Sequence, residues 1–154
     1  MSLPEKIGRI LTEKRLTVAV AESCTGGLIG AALTGIPGSS SYFAGGVIAY
    51  GNRVKAEVLG VSARVLKKHG AVSVETAAAM ALGVRRLLHT NAAISVTGIA
   101  GPGGGTAEKP VGLVYIGIAV KNTIDVFEFR FRGSRDRIRE KSAEEGLKQL
   151  IRKL

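Results

Sequence analysis

One stretch of the sequence decides the fold: Thr17-Val18-Ala19-Val20-Ala21 runs directly into Glu22-Ser23-Cys24-Thr25-Gly26-Gly27, and an apolar segment follows from Leu28 to Leu33. The first part is short and rich in β-branched side chains, which predicts a buried strand. The glycines predict a turn, and the apolar segment behind them predicts a helix. A strand that passes through a glycine turn into a helix is typical of layered α/β domains.

Strands and helices are interspersed along the rest of the chain. Ser2 and Glu5 form a capping box, which predicts a helix at the start. The elements predicted after Leu33 are a strand over Tyr42–Tyr50, a helical segment around Lys55, a helix capped by Ser62 and ended by Gly70, a helix capped by Ser73, strands over Ala92–Val96, Val111–Val120 and Ile124–Phe131, and a final helix carrying Ile138 and Leu154. Lys121-Asn122 suits a hairpin turn, so the sheet is expected to be mixed. The sequence therefore predicts one domain over residues 1–154, a three-layer α/β/α sandwich with a mixed β-sheet.

Composition excludes several classes of protein. The chain has 154 residues, which fits one domain, and 45% of them are hydrophobic. Its one cysteine, Cys24, excludes an intrachain disulfide framework and a multi-cysteine zinc site. No apolar run is long enough to span a bilayer, and the first residues lack the order of a signal peptide. We therefore expect a cytoplasmic globular protein without a membrane segment.

The charge is strongly basic and unevenly spread. Lys and Arg outnumber Asp and Glu by 22 to 12, and residues 130–154 alone hold nine Lys or Arg against four Asp or Glu. Such an excess attracts anions, either nucleic acid or phosphorylated metabolites. The sequence has no zinc-finger spacing, no aromatic RNA-binding motif and no tryptophan. These absences argue against sequence-specific nucleic-acid binding and favour a basic face that steers a phosphate ester.

Two loops at predicted strand ends are the places where chemistry is expected. The hydroxyl of Ser23 can serve there as a helix cap, a phosphate contact or a nucleophile, and the sequence alone favours the cap. The second loop, Thr97 to Gly105, holds five glycines in nine residues but matches neither the P-loop nor the dinucleotide fingerprint. Its glycines would let a ligand approach the backbone closely, but a merely flexible turn is an almost equally good interpretation. Because each loop follows a strand, we expect both on one edge of the sheet.

The chain offers few partners for a nucleophile. His69 and His89 fall near predicted helix ends, where the helix dipole favours a histidine, so neither is the expected base. Cys24 is interpreted as a small buried residue. Lys55 can activate Ser23, as in serine–lysine pairs, if the strands that precede the two residues are neighbours. On the sequence alone, a surface lysine is the favoured interpretation of Lys55.

Several longer motifs occur in one order and together carry a family resemblance. They are Ala21-Glu22-Ser23-Cys24-Thr25-Gly26-Gly27, Pro37-Gly38-Ser39-Ser40, Tyr50-x-Asn52-x-x-Lys55, Thr97-Gly98-Ile99-Ala100-Gly101-Pro102, Lys109-Pro110-Val111-Gly112 and Phe131-x-Gly133-x-Arg135-x-x-Ile138-Arg139. With these motifs the chain resembles the CinA C-terminal domain family, the nicotinamide-nucleotide amidohydrolases, from about residue 5 onward. It resembles the stand-alone deamidase form, without the additional N-terminal domain of full-length CinA proteins.

The resemblance implies an activity and its catalytic residues. The family hydrolyses the carboxamide of nicotinamide mononucleotide to nicotinate mononucleotide and ammonia, a step in pyridine nucleotide recycling that needs no metal or organic cofactor. Its pattern places the nucleophile at Ser23 and the activating groups at Lys55 and Tyr50. To accept a proton, Lys55 must be neutral, so its pKa must lie well below the value of about 10.4 for a free lysine.

The resemblance and the loops also nominate residues that bind the substrate. By resemblance, Ser40, Thr97 and Arg137 position the nucleotide or the reacting carboxamide. The backbone N–H groups near Thr25, Gly26 and Gly27 are candidates for an oxyanion hole. Gly98 opens the second glycine loop, where a ligand can approach the backbone.

The expected partners are a small-molecule nucleotide and further copies of the chain. The mean hydropathy of +0.22 and the glycine-rich strand Ala44–Ala49 predict a dimer or a dimer of dimers. An alternative function is a non-catalytic nucleotide-binding regulatory module linked to competence or DNA damage, with the basic C-terminal helix as its surface. A third interpretation is general nucleic-acid binding, which predicts steep salt dependence.

Overall fold

The computed structural model describes all 154 residues. They form six α-helices and five β-strands, joined by loops and turns. The helices are α1 (Leu3–Lys14), α2 (Leu28–Thr34), α3 (Asn52–Glu57), α4 (Ala63–His69), α5 (Val74–Leu88) and α6 (Arg135–Lys153). The strands are β1 (Val18–Glu22), β2 (Phe43–Ile48), β3 (Ala92–Gly98), β4 (Leu113–Val120) and β5 (Thr123–Arg130). Every element predicted from the sequence is present, with shifts of a few residues at the ends.

The five strands form one mixed sheet in the order β2-β1-β3-β4-β5. The central strand β1 is parallel to both β2 and β3, with Glu22 opposite Ile48 on one side and opposite Val96 on the other. The hairpin β4–β5 completes the sheet in antiparallel register. Because β1, β2 and β3 point the same way, their carboxyl ends meet at one edge, which confirms that both glycine loops share an edge.

The two faces of the sheet are covered by different helices, so the predicted three layers are confirmed. Alternate side chains of β1 point to opposite faces. Val18 and Val20 belong to the core that also contains buried residues of α1, α2 and α6. Ala19 and Ala21 pack in a second core with Met80 of α5. All five residues of β1 are buried, as a strand covered on both faces requires.

Side-chain caps set the starts of four helices. Ser2 and Glu5 form the predicted capping box of α1, and the hydroxyls of Ser62, Ser73 and Ser134 cap α4, α5 and α6. Strand β2 is shorter than predicted: it ends at Ile48, and the chain leaves the sheet before the next helix. None of the helices combines the length and the apolar composition needed to cross a bilayer.

Candidate active site

The centre of the site is a direct contact between Ser23 and Lys55. Ser23 follows β1 and is held there by its N–H, which donates to the Val96 carbonyl at 2.9 Å. Its Oγ lies 3.0 Å from Nζ of Lys55 on α3. Both side chains are buried, and Lys55 is only 1% exposed. The interpretation of Lys55 as a surface lysine is therefore wrong, because β1 and β2 are neighbours and α3 folds back over their ends.

Lys55 is held entirely by neutral oxygen atoms. Besides Ser23 Oγ, Nζ contacts the main-chain carbonyl oxygens of Ala49 at 2.8 Å and Tyr50 at 3.0 Å. No carboxylate forms a salt bridge with Lys55, so its ammonium group gains no ion pair in return for the loss of water. Burial consequently lowers the pKa of Lys55 from the usual 10.5.

The three partners of Lys55 fit a neutral amine with a defined orientation. A neutral amine has two N–H bonds and one lone pair. The carbonyl oxygens of Ala49 and Tyr50 can only accept, so they take the two N–H bonds. The third position of Nζ is the one that lies 3.0 Å from Ser23 Oγ, and in a neutral amine this is where the lone pair would meet the hydroxyl. The separation is within the reach that proton transfer between the two groups requires.

The turn after Ser23 leaves two backbone N–H groups without an acceptor. Gly26 N–H donates to the Ser23 carbonyl at 3.1 Å, and Gly27 N–H donates to the Glu22 carboxylate at 3.2 Å. The N–H groups of Cys24 and Thr25 form no hydrogen bond. Of the three residues nominated for an oxyanion hole, Thr25 thus leaves its N–H free, whereas Gly26 and Gly27 use theirs within the turn; Cys24 adds a second free N–H.

Glu22 fixes this turn and was not singled out by the sequence analysis. It is 1% exposed, and its carboxylate accepts from the N–H groups of Gly27, Ile29 and Gly30 at 3.0 to 3.2 Å. Gly27 is the N-cap residue of α2 and has no side chain to offer. Glu22 therefore supplies the cap and meets the positive end of the helix. An acidic residue between a strand and a helix that lacks a capping side chain is the signal that points to this role.

Two arginines of α6 reach the site, Arg135 and Arg139; both stand in a quoted family motif, but neither was assigned a role from the sequence. Arg135 donates from Nη1 to the Gly101 carbonyl at 2.8 Å and from Nη2 to the Tyr50 hydroxyl at 3.1 Å. Arg139 donates from Nε to the Cys24 carbonyl at 3.0 Å and from Nη2 to the Thr25 carbonyl at 3.3 Å. They are four residues apart and so share one helix face, a spacing that is visible in the sequence.

The other nominated residues of this edge have mostly structural contacts. The Tyr50 phenol is exposed and contacts Arg135, while only the Tyr50 carbonyl contacts Lys55. The Thr97 hydroxyl is buried and donates to the Ala71 carbonyl at 2.7 Å. A Cβ at Gly98 would lie 2.6 Å from the Val114 side chain and 2.9 Å from the Leu113 carbonyl, so packing against β4 already requires a glycine.

Two predicted substrate contacts are not brought to Ser23 within the chain. Ser40 is exposed in the single 3₁₀ turn that precedes β2. Because β2 runs parallel to β1, Ser40 lies at the opposite edge of the sheet from Ser23. Arg137 is exposed on α6 and pairs with Glu140 at 3.6 Å. The spacing of residues around the helix explains this outcome. Arg135 and Arg139 are four residues apart and lie on the face that meets the site, whereas Arg137 lies on a different face.

Other reactive side chains are placed as expected. His69 ends α4 and lies 3.6 Å from Glu75, and His89 is the C-cap residue of α5. Neither histidine bonds to Ser23 or Lys55. Burial raises the pKa of the Cys24 thiol to about 11, so this side chain is a neutral part of the core. No group of three or more His, Cys, Asp and Glu side chains is positioned to hold a metal ion.

Fold and site together define an α/β/α domain with a buried serine–lysine pair at the carboxyl edge of its mixed sheet. The sequence profile of the CinA C-terminal domain matches residues 1–154. The chain belongs to this family, which confirms the resemblance carried by its motifs.

Relatives and solved structures agree with this assignment. A competence-damage inducible protein of Halothermothrix orenii is 57% identical over 139 residues, which cover 90% of this chain and 34% of that protein. A CinA-like protein of Gloeothece citriformis is 56% identical over 156 residues, which cover 99% of this chain and 37% of that protein. The chain thus spans about a third of the length of these curated relatives.

The crystal structure of the competence/damage inducible protein CihA from Agrobacterium tumefaciens has the same fold. It is 44% identical, with a TM-score of 0.95, and the match covers 97% of this chain and 92% of that one. A CinA superfamily protein from Escherichia coli is 28% identical, with a TM-score of 0.96, over 99% of this chain and 88% of that one.

Proposed function

We propose that this domain hydrolyses the carboxamide of nicotinamide mononucleotide, giving nicotinate mononucleotide and ammonia. One observation carries the proposal: the buried Lys55 amine is oriented by two carbonyl oxygens so that its third position faces Ser23 Oγ at 3.0 Å. The hydroxyl of an ordinary serine keeps its proton at neutral pH and is a weak nucleophile, and a neutral amine in contact with it can accept that proton. The choice of substrate rests on the family resemblance that the motifs carry.

The first half of the reaction forms an acyl-enzyme. Ser23 Oγ attacks the carboxamide carbon while its proton passes to Lys55 Nζ. The carbonyl oxygen becomes an oxyanion, for which the unpaired N–H groups of Cys24 and Thr25 are the donors. The Lys55 ammonium then returns the proton to the amide nitrogen, the C–N bond breaks, and ammonia leaves.

The second half of the reaction releases the product by the same groups. Water attacks the Ser23 ester and gives its proton to Lys55, and the oxyanion forms again in the same place. When the ester bond breaks, the proton returns to Ser23 Oγ and the nicotinate leaves as the acid, which ionises in water. No group is consumed, so the serine–lysine pair is ready for another substrate.

Electrostatics support a phosphorylated substrate. The formal charge of +10 attracts the phosphate of a nucleotide from solution. The pyridinium ring of a bound substrate adds a positive charge close to Lys55, which disfavours the ammonium form further. Binding of the substrate and activation of the base therefore act in the same direction.

Ammonia release tests the proposal. Purified protein is mixed with nicotinamide mononucleotide, and the ammonia and nicotinate mononucleotide formed are quantified. A Ser23→Ala variant is assayed in the same way. We expect equal amounts of both products from the unchanged protein and neither from the variant. Nucleotide binding without ammonia would instead support the non-catalytic regulatory module, to which the names of competence- and damage-inducible relatives and the basic helix α6 point.

A further inference from the structure

Arg139 of α6 holds the peptide groups of the turn that carries the proposed oxyanion hole. Its Nε donates to the Cys24 carbonyl at 3.0 Å and its Nη2 to the Thr25 carbonyl at 3.3 Å, although the residues are 115 and 114 positions apart in the chain. The side chain is half-buried between α6 and the turn. One planar guanidinium thus grips two successive peptide groups.

Because a peptide group is planar, the hydrogen bonds from Arg139 also fix the direction of a backbone N–H group. The Cys24 carbonyl and the Thr25 N–H belong to one planar trans peptide group and point in opposite directions. A donor that fixes the carbonyl oxygen therefore fixes where the N–H points. The second contact acts on the next peptide group, whose N–H belongs to Gly26 and closes the turn on the Ser23 carbonyl at 3.1 Å.

We infer that Arg139 is a positioning residue, which aims the Thr25 N–H at the oxygen that becomes negative during the reaction. Its positive charge on the carbonyl side also polarises the peptide group and strengthens the N–H as a donor. This role rests on the proposed serine chemistry, but it does not depend on which amide or ester is the substrate.

Gly26 fits the same arrangement. Its φ is +59°, and an added Cβ would lie 3.2 Å from Nη2 of Arg139. A side chain at this position would therefore contact the guanidinium tightly, and the positive φ itself favours glycine. Arg135 makes a different pair of contacts, to the Tyr50 hydroxyl and the Gly101 carbonyl, so it does not share the task of Arg139.

Variants of Arg139 and two readouts of activity test the inference. Arg139→Gln removes the charge and the two-pronged donor, and Arg139→Lys keeps the charge but not the planar fork. Arg152→Gln, at the exposed far end of the same helix, is the matched control. The readouts are kcat and KM for nicotinamide mononucleotide, and the rate at which a fluorophosphonate labels Ser23, followed by intact mass. The probe needs the same oxyanion donors but no nucleotide contact.

We expect Arg139→Gln to lower kcat and the labelling rate together by about 10- to 100-fold, which is less than removal of a donor itself costs. Its KM should stay within about threefold, since a positioning role acts on the transition state. Arg139→Lys should also lose most of its kcat and labelling rate. In an Arg139→Ala variant, added guanidinium ion should partly restore both rates. Melting temperatures show whether each variant is folded.

Several outcomes would overturn the inference. A raised KM with unchanged kcat and labelling rate in folded Arg139→Gln would make Arg139 a substrate contact. An unchanged rate in both assays would leave it without a role in the turn. If the unchanged protein releases no ammonia but its Ser23 is labelled in an Arg139-dependent way, the substrate is wrong and the inference stands. If Ser23 is not labelled at all, the inference fails.

Discussion

Nζ of Lys55 lies 3.0 Å from Oγ of Ser23, across 32 positions of sequence. The contact exists because β1 and β2 are adjacent parallel strands, so the chain leaves both at the same edge. α3 then carries the lysine back over the ends of the strands, where it is 1% exposed. The sheet thereby brings an alcohol and an amine together in a place that water scarcely reaches.

Replacing Lys55 by arginine tests whether the lysine is a base. Arginine keeps the positive charge but cannot lose its proton in a protein, so Lys55→Arg should abolish ammonia release. A lysine that only held the phosphate would tolerate arginine with a few-fold loss, mainly in KM. Activity above about one-tenth of the unchanged protein would exclude the role as base. Circular dichroism and melting temperature accompany the assay, because arginine is the larger side chain.

The pH dependence of activity should follow the lowered pKa of Lys55. Only the neutral amine accepts the Ser23 proton, so kcat/KM should rise with pH and then reach a plateau. The midpoint of the rise should lie below 10.5. Measurement of ammonia release across this range gives the midpoint. A profile that falls as pH rises, or a midpoint at or above 10.5, would contradict a lysine base with a lowered pKa.

The same pKa shift should appear in stability. Lys55 has a lower pKa in the folded chain than in the unfolded chain. Between the two values the unfolded chain binds more protons, so the free energy of unfolding contributed by Lys55 increases with pH. Urea denaturation at several pH values should show this slope for the unchanged protein and not for Lys55→Met. Parallel curves for the two proteins would argue that the pKa of Lys55 is not shifted.

Glu22 should stabilise the turn and the helix behind it. Its two carboxylate oxygens accept three backbone N–H groups of residues 27, 29 and 30. In Glu22→Gln one oxygen becomes an NH₂ group that faces a donor, so we expect a loss of about 1–3 kcal/mol in unfolding free energy. Glu13→Gln, on the exposed side of α1, is the control. Equal urea midpoints for the two variants would show that Glu22 is not the cap.

Self-association remains a prediction from the sequence, and the sheet gives it a physical reason. The edge strand β2 contains neither a charged residue nor a proline, while the opposite edge strand β5 carries Asp125, Glu128 and Arg130. An edge without such protection is open to pairing with another chain. Light scattering at micromolar concentration should give a dimer or a dimer of dimers. A mass of 16.0 kDa would contradict self-association.

The sequence predicted the fold well because its signals are local. The strand β1, the glycine turn and α2 follow from one apolar stretch interrupted by glycines, and the starts of helices follow from capping serines such as Ser73. The order of the strands is only partly recoverable: the preference for neighbouring consecutive strands places β1 beside β2, but β3 pairs with β1 and not with β2. Ends of strands were less accurate, as the early end of β2 shows.

The site was less predictable because its contacts cross the chain. The burial of Lys55 depends on carbonyl oxygens at the end of β2, and a lysine in an exposed helix has the same sequence pattern. Ser40 precedes a strand whose direction places it at the far edge. The helix α6 is more than 100 residues away from the turn in sequence. The orientation of α6 about its own axis decides which of its arginines contacts the turn, and this arginine is Arg139.

The central claim is that Ser23 and Lys55 act as one catalytic unit on an amide, and a double-mutant comparison of ammonia release tests it most directly. Ser23→Ala, Lys55→Met and the protein with both changes are assayed with nicotinamide mononucleotide beside the unchanged protein. We predict that each single change reduces kcat to the same low level and that the double change is no worse, since neither group acts without the other. Independent losses that multiply in the double variant, or substantial turnover without Ser23, would contradict the claim.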